Sequence, residues 1–176
     1  MGSIHTPPPV KIFVGVLYSV PALLPRIENR LSALLGPIDV RSETFPFDST
    51  HYYDDEMGTP IHRCFFSFSQ LSAAESIVRI KTSTNELEAA IAREHVGARR
   101  PVNLDPGYVE LAKIVLASTK NFYHRILISG GIYAEVTQRY EAGEWRSFPW
   151  TFPDFRSGRY NTFFSTLRAL YHDQIK

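Results

Sequence analysis

The chain has 176 residues, of which 44% are hydrophobic and 21% charged, and its formal net charge is +1. This length suits one domain with a substantial core, and the near-neutral composition excludes a disordered, collagen-like or strongly basic nucleic-acid-coating protein. The only cysteine, Cys64, cannot form an intrachain disulfide. Such cysteine usage is typical of a reducing compartment, so we expect a cytoplasmic location. No apolar run approaches the ~20 residues needed to span a bilayer, so we expect no membrane partner.

The first part of the chain alternates strand and helix patterns. Residues 1–9, with three consecutive prolines, are predicted as a flexible Pro-rich lead-in, and residues 10–176 as a single α+β domain. Val10–Tyr18 is almost continuously apolar, as expected of a central strand covered on both faces. Further strands are predicted over 38–45, 61–68 and 100–104, a loop over 46–60, and helices over 22–35 and 71–95, the second broken near Thr82 by a capping-box pattern. This β-α-β-β-α-β order is typical of a ferredoxin-like core.

The second part predicts an antiparallel meander and a C-terminal helix. Asp105-Pro106-Gly107 has the composition of a turn. The predicted strands are Lys113–Ser118, His124–Ser129 and Ile132–Tyr140; a Pro- and aromatic-rich loop follows at 145–155, and a helix at 161–174. Gly130-Gly131 predicts a two-residue hairpin, because glycine adopts the positive φ that such a turn needs. We therefore expect a ferredoxin-like core extended by this meander and helix.

Several segments read together are characteristic of one family. They are K-I-F-V-G-V-L-Y-S, D-S-T-H-Y-Y-D-D-E-M-G, V-N-L-D-P-G-Y, L-A-S-T-K, G-I-Y-A-E-V-T and W-T-F-P-D-F-R-S. From about Val10 to Tyr171 the chain resembles the bacterial domain of unknown function family 4416. Some members of that family are described as GTP-binding. The sequence contains neither the G-x-x-x-x-G-K-[ST] phosphate loop nor an N-K-x-D guanine motif, so any nucleotide binding would need another architecture.

The hairpin predicts which side chains share a face. If Ser129 faces Ile132, counting back places His124, Tyr133, Glu135 and Thr137 on one solvated face. The same count places Arg125 on the opposite, core-facing side, with Leu127, Ala134 and Val136. Beside Glu135, His124 would be a general base or a metal ligand with Glu135 as its orienting partner. The alternative is an ordinary cross-strand polar pair.

Two more groups of residues suggest an anion site nearby. Ser118, Thr119 and Lys120 close one predicted strand, and hydroxyls with a cationic group suit phosphate or carboxylate. Together with these, the candidate substrate-binding residues are Arg125, Tyr133 and Arg156. Asp105, at the end of a strand, is a candidate second acid/base or metal ligand. The alternative for Lys120 is a solvated side chain in a turn.

The loop between residues 48 and 58 is the candidate metal site. Asp48, His51 and Asp54 are hard ligands suited to Mg²⁺ or Mn²⁺, although the spacing matches no established calcium or zinc motif. The alternative is a solvated acidic loop whose tyrosines pack on the sheet.

Two classes of function remain open from the sequence. One is a small enzyme acting on a phosphorylated or carboxylated small molecule with a divalent metal; the other is a non-catalytic ligand- or partner-binding module using the aromatic loop at 145–159. We expect no nucleic-acid partner. The third predicted strand, H-R-C-F-F-S-F, lacks the glycine of RNA-recognition motifs, and the chain lacks a basic surplus. The oligomeric state is left open.

Overall fold

The computed structural model describes residues 2–176. In that part of the chain, five α-helices accompany one large antiparallel sheet of nine strands. The strands are β1 (Val10–Tyr18), β2 (Ile38–Arg41), β3 (Phe45–Pro46), β4 (His62–Ser72), β5 (Val102–Val109), β6 (Lys113–Ser118), β7 (Ile126–Ser129), β8 (Ile132–Glu141) and β9 (Glu144–Ser147). The helices are α1 (Leu24–Leu35), α2 (Asp54–Met57), α3 (Ile77–Glu94), α4 (Pro153–Arg156) and α5 (Asn161–Gln174). No helix within residues 2–176 is both long and apolar enough to cross a membrane.

The strand order places β1 inside the sheet. The order is β2-β4-β1-β5-β6-β8-β7, while β3 also pairs with β4 and β9 with β8. Every residue of Val10–Tyr18 is buried, which confirms the predicted central strand covered on both faces. Because side chains alternate along a strand, β1 contributes to two separate cores.

The two cores lie on opposite faces of the sheet. On one face, Val14 and Val16 pack with Ile27 of α1 and Ile80 of α3. On the other face, Phe13 joins an aromatic cluster from β4, α4 and α5: Phe65, Phe155, Tyr160, Phe163 and Phe164. Helix α5 spans the residues predicted from its apolar periodicity, and β6 likewise matches its predicted range.

The second helix is continuous, and its predicted break near Thr82 is wrong. The hydroxyl of Thr82 donates to the carbonyl of Val78, and that of Thr84 to the carbonyl of Lys81. These bonds run backward to the preceding turn, so the helix has no N-cap at this position. Tertiary burial of Lys81 and Thr84 keeps the segment helical.

Asp105-Pro106-Gly107 lies within β5, so the predicted turn is also wrong. Pro106 is tolerated there because β6 pairs with β5 only over 107–109, so residue 106 faces β1 on one side and has no strand on its other side. Gly107 is needed for close packing, because an added Cβ would lie 2.4 Å from the carbonyl oxygen of Val115.

β5 and β6 are paired only at residues 107–109 of β5, and beyond these residues the two strands separate. Side chains of α3 then take the place of β6 beside β5. The N–H of Leu104 donates to Glu88 Oε1 at 2.7 Å, and Lys81 Nζ donates to the carbonyl of Leu104 at 2.8 Å. Both backbone groups of Leu104 are thereby satisfied on the side where β6 does not pair with β5. This separation of β5 from β6 is the structural origin of the cavity described next.

Smaller differences from the predicted elements concern the loops. The predicted strand 38–45 is divided into β2 and β3, and the predicted loop 46–60 contains α2. The aromatic stretch after residue 144 begins as β9, which pairs with β8 across a turn at Ala142-Gly143. Both turn residues have positive φ.

Candidate functional site

A cavity of about 330 Å³ lies where β5 and β6 separate. Residues of β4, β5, β6 and β8 form its floor, and α4 and the 47–53 segment cover it. Its lining includes five aromatic side chains, namely Phe47, Tyr52, Tyr53, Phe152 and Phe155. It also includes five charged side chains, namely Arg63, Asp105, Arg125, Glu135 and Asp154. A largely apolar wall with a few convergent polar groups is typical of small-molecule sites, whose volumes begin near ~300 Å³.

Arg63 is one of two buried arginines that line this cavity. Its side chain is only 7% exposed, and its guanidinium lies 5.2 Å from the Phe47 ring centroid and 5.5 Å from that of Phe65. Its two ionic contacts, to Asp105 Oδ2 and Asp154 Oδ2, are both long, at 3.5 Å. Arg63 Nε is buried and has no hydrogen-bond partner in residues 2–176. The guanidinium therefore retains capacity to donate hydrogen bonds.

The surroundings of Arg63 keep it charged. Burial by itself lowers the pKa of the Arg63 guanidinium, but the carboxylates of Asp154 and Asp105 outweigh burial and raise the pKa above its usual value. Burial, followed by the nearby Asp105 carboxylate, raises the pKa of Tyr53 to about 12. This phenol therefore faces the cavity as a neutral hydrogen-bonding group at physiological pH.

The two carboxylates beside Arg63 are fixed by other donors. Asn103 Nδ2 donates to Asp105 Oδ2 at 2.7 Å, and Lys81 Nζ lies 3.9 Å from Asp105 Oδ1. The Tyr160 hydroxyl donates to Asp154 Oδ2 at 3.1 Å. Each carboxylate accepts more hydrogen bonds than these contacts use, so both retain acceptor capacity toward the cavity.

On the far wall Glu135 joins the predicted histidine and an arginine. His124 Nε2 lies 3.0 Å from Glu135 Oε2, and Arg125 Nε donates to the same oxygen at 2.7 Å. Arg125 Nη1 also donates to Ser118 Oγ at 2.9 Å. All three side chains are at most 9% exposed, so the face is not the solvated one predicted.

A bulge in β7 explains why the predicted pairing is wrong beyond the turn. Ser129 faces Ile132 as predicted, but Leu127 rather than Ile128 faces Tyr133. The extra residue shifts every later pair by one position. Arg125, predicted for the opposite side, therefore reaches Glu135, and the assumed core residue Leu127 is 56% exposed.

His124 contacts Glu135 but does not line the cavity. Its ring stacks on Trp150, with centroids 5.6 Å apart and planes 10° apart. Nε2 is engaged by Glu135, while Nδ1 is buried without a partner in the described part of the chain. The imidazole therefore supports Glu135 from behind instead of facing a molecule in the cavity.

The other predicted anion-binding residues are only partly brought together. Ser118 lines the cavity, whereas Lys120 lies near it, with Nζ 2.8 Å from the Tyr52 hydroxyl. Thr119 and Arg156 are exposed, and Tyr133 is half-buried beside Ser118; none of these three lines the cavity.

The predicted metal ligands do not converge. Asp48 pairs with Arg159 at 3.2 Å, and the highly exposed His51 contacts Asp54 at 2.8 Å. In residues 2–176, no three His, Cys, Asp or Glu side chains are grouped closely enough to hold a metal ion. The loop instead contributes its neighbours Ser49, Thr50, Tyr52 and Tyr53 to the cavity.

Sequence reasoning missed Arg63 and Asp154. A signal for Arg63 was present, because an arginine inside the apolar run I-H-R-C-F-F-S-F needs a buried counter-charge. Asp154 carried no such signal, since W-T-F-P-D-F-R reads as a surface loop until the chain folds it over β4.

The fold and site define a mixed α/β protein with a large antiparallel sheet and an enclosed, aromatic-lined cavity. The chain belongs to the family described as Domain of unknown function (DUF4416), whose model matches residues 8–171. The comparisons with curated proteins and with solved structures found no match.

Proposed function

We propose that the protein binds a small carboxylated or phosphorylated molecule in this cavity. The single observation that carries the proposal is the state of Arg63: a buried guanidinium that lines the cavity, has only long ionic contacts and leaves one N–H donor unused. A buried donor without a partner costs free energy, and an anionic group of a ligand would satisfy it.

The charges of the lining favour a carboxylate over a phosphate dianion. Arg63 and Arg125 face three carboxylates, those of Asp105, Glu135 and Asp154. A doubly charged phosphate would meet a lining without surplus positive charge, whereas one carboxylate requires less compensation. The acceptor capacity of Asp105 and Asp154 suits hydroxyl or ammonium donors on the same ligand.

In this proposal Arg63 and Arg125 donate hydrogen bonds to the anionic group. Arg125 is oriented by its own hydrogen bonds to Glu135 and Ser118. His124 is a positioning residue that fixes Glu135, and the aromatic side chains of the 47–53 segment and of α4 enclose the apolar part of the ligand. This arrangement corresponds to the binding module that the sequence left open. Of the aromatic loop at 145–159, the aromatic side chains that line the cavity are Phe152 and Phe155.

An enzyme acting on the same ligand is the second candidate. The observation that favours it is Asp105, a cavity-lining carboxylate held by Asn103 and therefore positioned to exchange a proton with a bound molecule. Asp105→Asn would then retain ligand binding and abolish turnover.

We also infer that the first half of the chain is ferredoxin-like. The support is the order β2-β4-β1-β5, in which α1 connects β1 to β2 and α3 connects β4 to β5. In this arrangement the cavity lies at the junction between that half and the meander.

A ligand screen with matched arginine variants tests the proposed function. Thermal unfolding of the wild type is measured with inorganic phosphate, sugar phosphates, hydroxy acids, dicarboxylic acids and amino acids, and hits are titrated by calorimetry. We expect a carboxylate to raise the melting temperature, and Arg125→Gln and Arg63→Lys each to weaken its binding at least tenfold.

The control is Arg146→Gln, since Arg146 is a half-exposed arginine on β9 paired with Glu144. It should bind as the wild type does. If no anion stabilises the protein at millimolar concentration, or if Arg125→Gln and Arg146→Gln behave alike, the proposed function is wrong.

A further inference from the structure

Large apolar side chains are exposed together at one end of the sheet. Residues 122–128 contain five of them, and Phe152 lies next to this segment, because the Arg125 guanidinium is 5.8 Å from the Phe122 ring centroid and 5.9 Å from that of Phe152. We call this the β7 patch; it consists of Phe122, Tyr123, Ile126, Leu127, Ile128 and Phe152. Large apolar side chains exposed together in one short segment are typical of an interaction site in soluble proteins.

The patch is built on the terminal strand of the sheet. β7 pairs with β8 on one side, and no other strand of residues 2–176 pairs with its outer edge. Lysine, proline, short length and β-bulges all protect edge strands from pairing with another chain. The strand I-L-I-S is short and bulged at Ile128, but it carries no lysine or proline, and all four of its residues are exposed.

The strand is complementary to a second copy of itself. Antiparallel pairing about a two-fold axis at Leu127 would set Leu127 against its symmetry mate, and the bulged Ile128 would lie near Ile126 of the second copy. The nearest charged residue, Arg125, is neutralised by Glu135 of its own chain. Two copies would therefore bring no uncompensated like charges together.

The area available is sufficient for a dimer. The six side chains are between 41% and 82% exposed. With roughly 200 Å² for a fully exposed aromatic side chain and somewhat less for Ile or Leu, the six side chains present at most about 700 Å², counted over both faces of the strand, close to the ~800 Å² per partner of a standard interface.

From this combination we propose that the β7 patch is a homodimer interface in which two β7 strands pair antiparallel and continue the sheet across the two-fold axis. The proposal does not require a ligand in the cavity, because Ile126, Leu127 and Ile128 of β7 do not line it. Dimerisation would place Phe152, shared by patch and cavity, beside the second copy.

Sedimentation velocity of the full chain between 1 and 100 µM tests the proposal. We expect the wild type to sediment as a dimer and Leu127→Lys as a monomer with unchanged circular dichroism, because residue 127 is already exposed. The control is Leu170→Lys on α5, an exposed leucine outside the patch, which should remain dimeric.

Cross-linking measures the register directly. Leu127→Cys should form an intermolecular disulfide under mild oxidation, whereas Leu170→Cys should not, and buried Cys64 does not interfere. A wild type that is monomeric at every concentration would overturn the proposal. A dimer that Leu127→Lys leaves intact would overturn it as well.

Discussion

Arg125 reaches Glu135 because one additional residue, Ile128, is inserted in the strand opposite. Without that bulge, Ile126 would face Glu135, and a buried carboxylate would have an apolar neighbour. With it, Arg125 Nε lies 2.7 Å from Glu135 Oε2, and the other end of the guanidinium reaches Ser118. A local irregularity of β7 thus sets the electrostatics of the cavity wall.

The first prediction concerns this pair. Glu135→Gln should lower the free energy of unfolding by about 3 kcal/mol, because it removes the counter-charge of a buried guanidinium. Urea denaturation measures the effect. The control is Glu141→Gln, which removes the partner of Arg139 at a half-exposed position and should change stability by less than ~0.5 kcal/mol. Equal effects of the two variants would contradict the description of Glu135 as the buried counter-charge of Arg125.

The same bulge shows where prediction from the sequence ends. Gly130-Gly131 correctly identified the hairpin, because the requirement for positive φ is local to two residues. Nothing in I-L-I-S specifies an extra residue, since the bulge depends on the pairing of β7 with β8 further from the turn. The contact between His124 and Glu135 was predicted from a hairpin register without the bulge. That register is wrong, but the contact is present, because His124 lies near Glu135 in the bulged register as well.

Helices and buried strands were accessible to sequence analysis for a similar reason. The apolar stripe of α5 and the continuous apolar run of β1 are properties of one segment each. The cavity depends on three distant segments, 47–53, 102–109 and 152–155, and on a gap between β5 and β6. That gap follows from Lys81 and Glu88 replacing a strand at Leu104, a tertiary relationship with no local pattern.

Cys64 provides a second prediction. Burial raises the pKa of the Cys64 thiol to about 12, and the side chain packs in the core between the sheet and α1. Because the thiolate is the reactive form, the native protein at pH 8 should react negligibly with Ellman's reagent while the urea-unfolded chain reacts stoichiometrically. Rapid, complete labelling of the native protein would show that this core opens readily.

A third prediction follows from Glu88. Burial raises the pKa of this carboxyl above its usual value, despite the nearby Lys81 and Arg100. A raised pKa means that the folded state binds the proton more tightly, so this contribution to stability is complete below about pH 4.3 and is lost as the pH rises through the folded-state pKa.

The measurement compares wild type with Glu88→Gln in urea denaturation between pH 3.5 and 7. The glutamine keeps an oxygen for the N–H of Leu104 but does not titrate. The stability of the wild type relative to the variant should therefore fall as the pH increases over the lower part of this range. Exposed Glu75→Gln provides the baseline, and a relative stability that increases with pH would reverse the assigned sign.

The fourth prediction concerns Gly15 of β1, which lies beside the buried Arg63 side chain of β4. A Cβ at residue 15 would lie 2.8 Å from Arg63 Nη1 and 3.1 Å from the Phe65 ring. Gly15→Ala should therefore destabilise the protein by about 1–3 kcal/mol through overpacking, and should also shift the guanidinium that lines the cavity.

A double-mutant cycle with Arg63→Met separates these two effects. Methionine lacks the guanidinium that the new methyl group would contact, so Gly15→Ala should cost less in the Arg63→Met background than in the wild type. Only the contact with Phe65 would remain in that background. If the two substitutions were additive, the position of Arg63 would not depend on the absence of a side chain at residue 15.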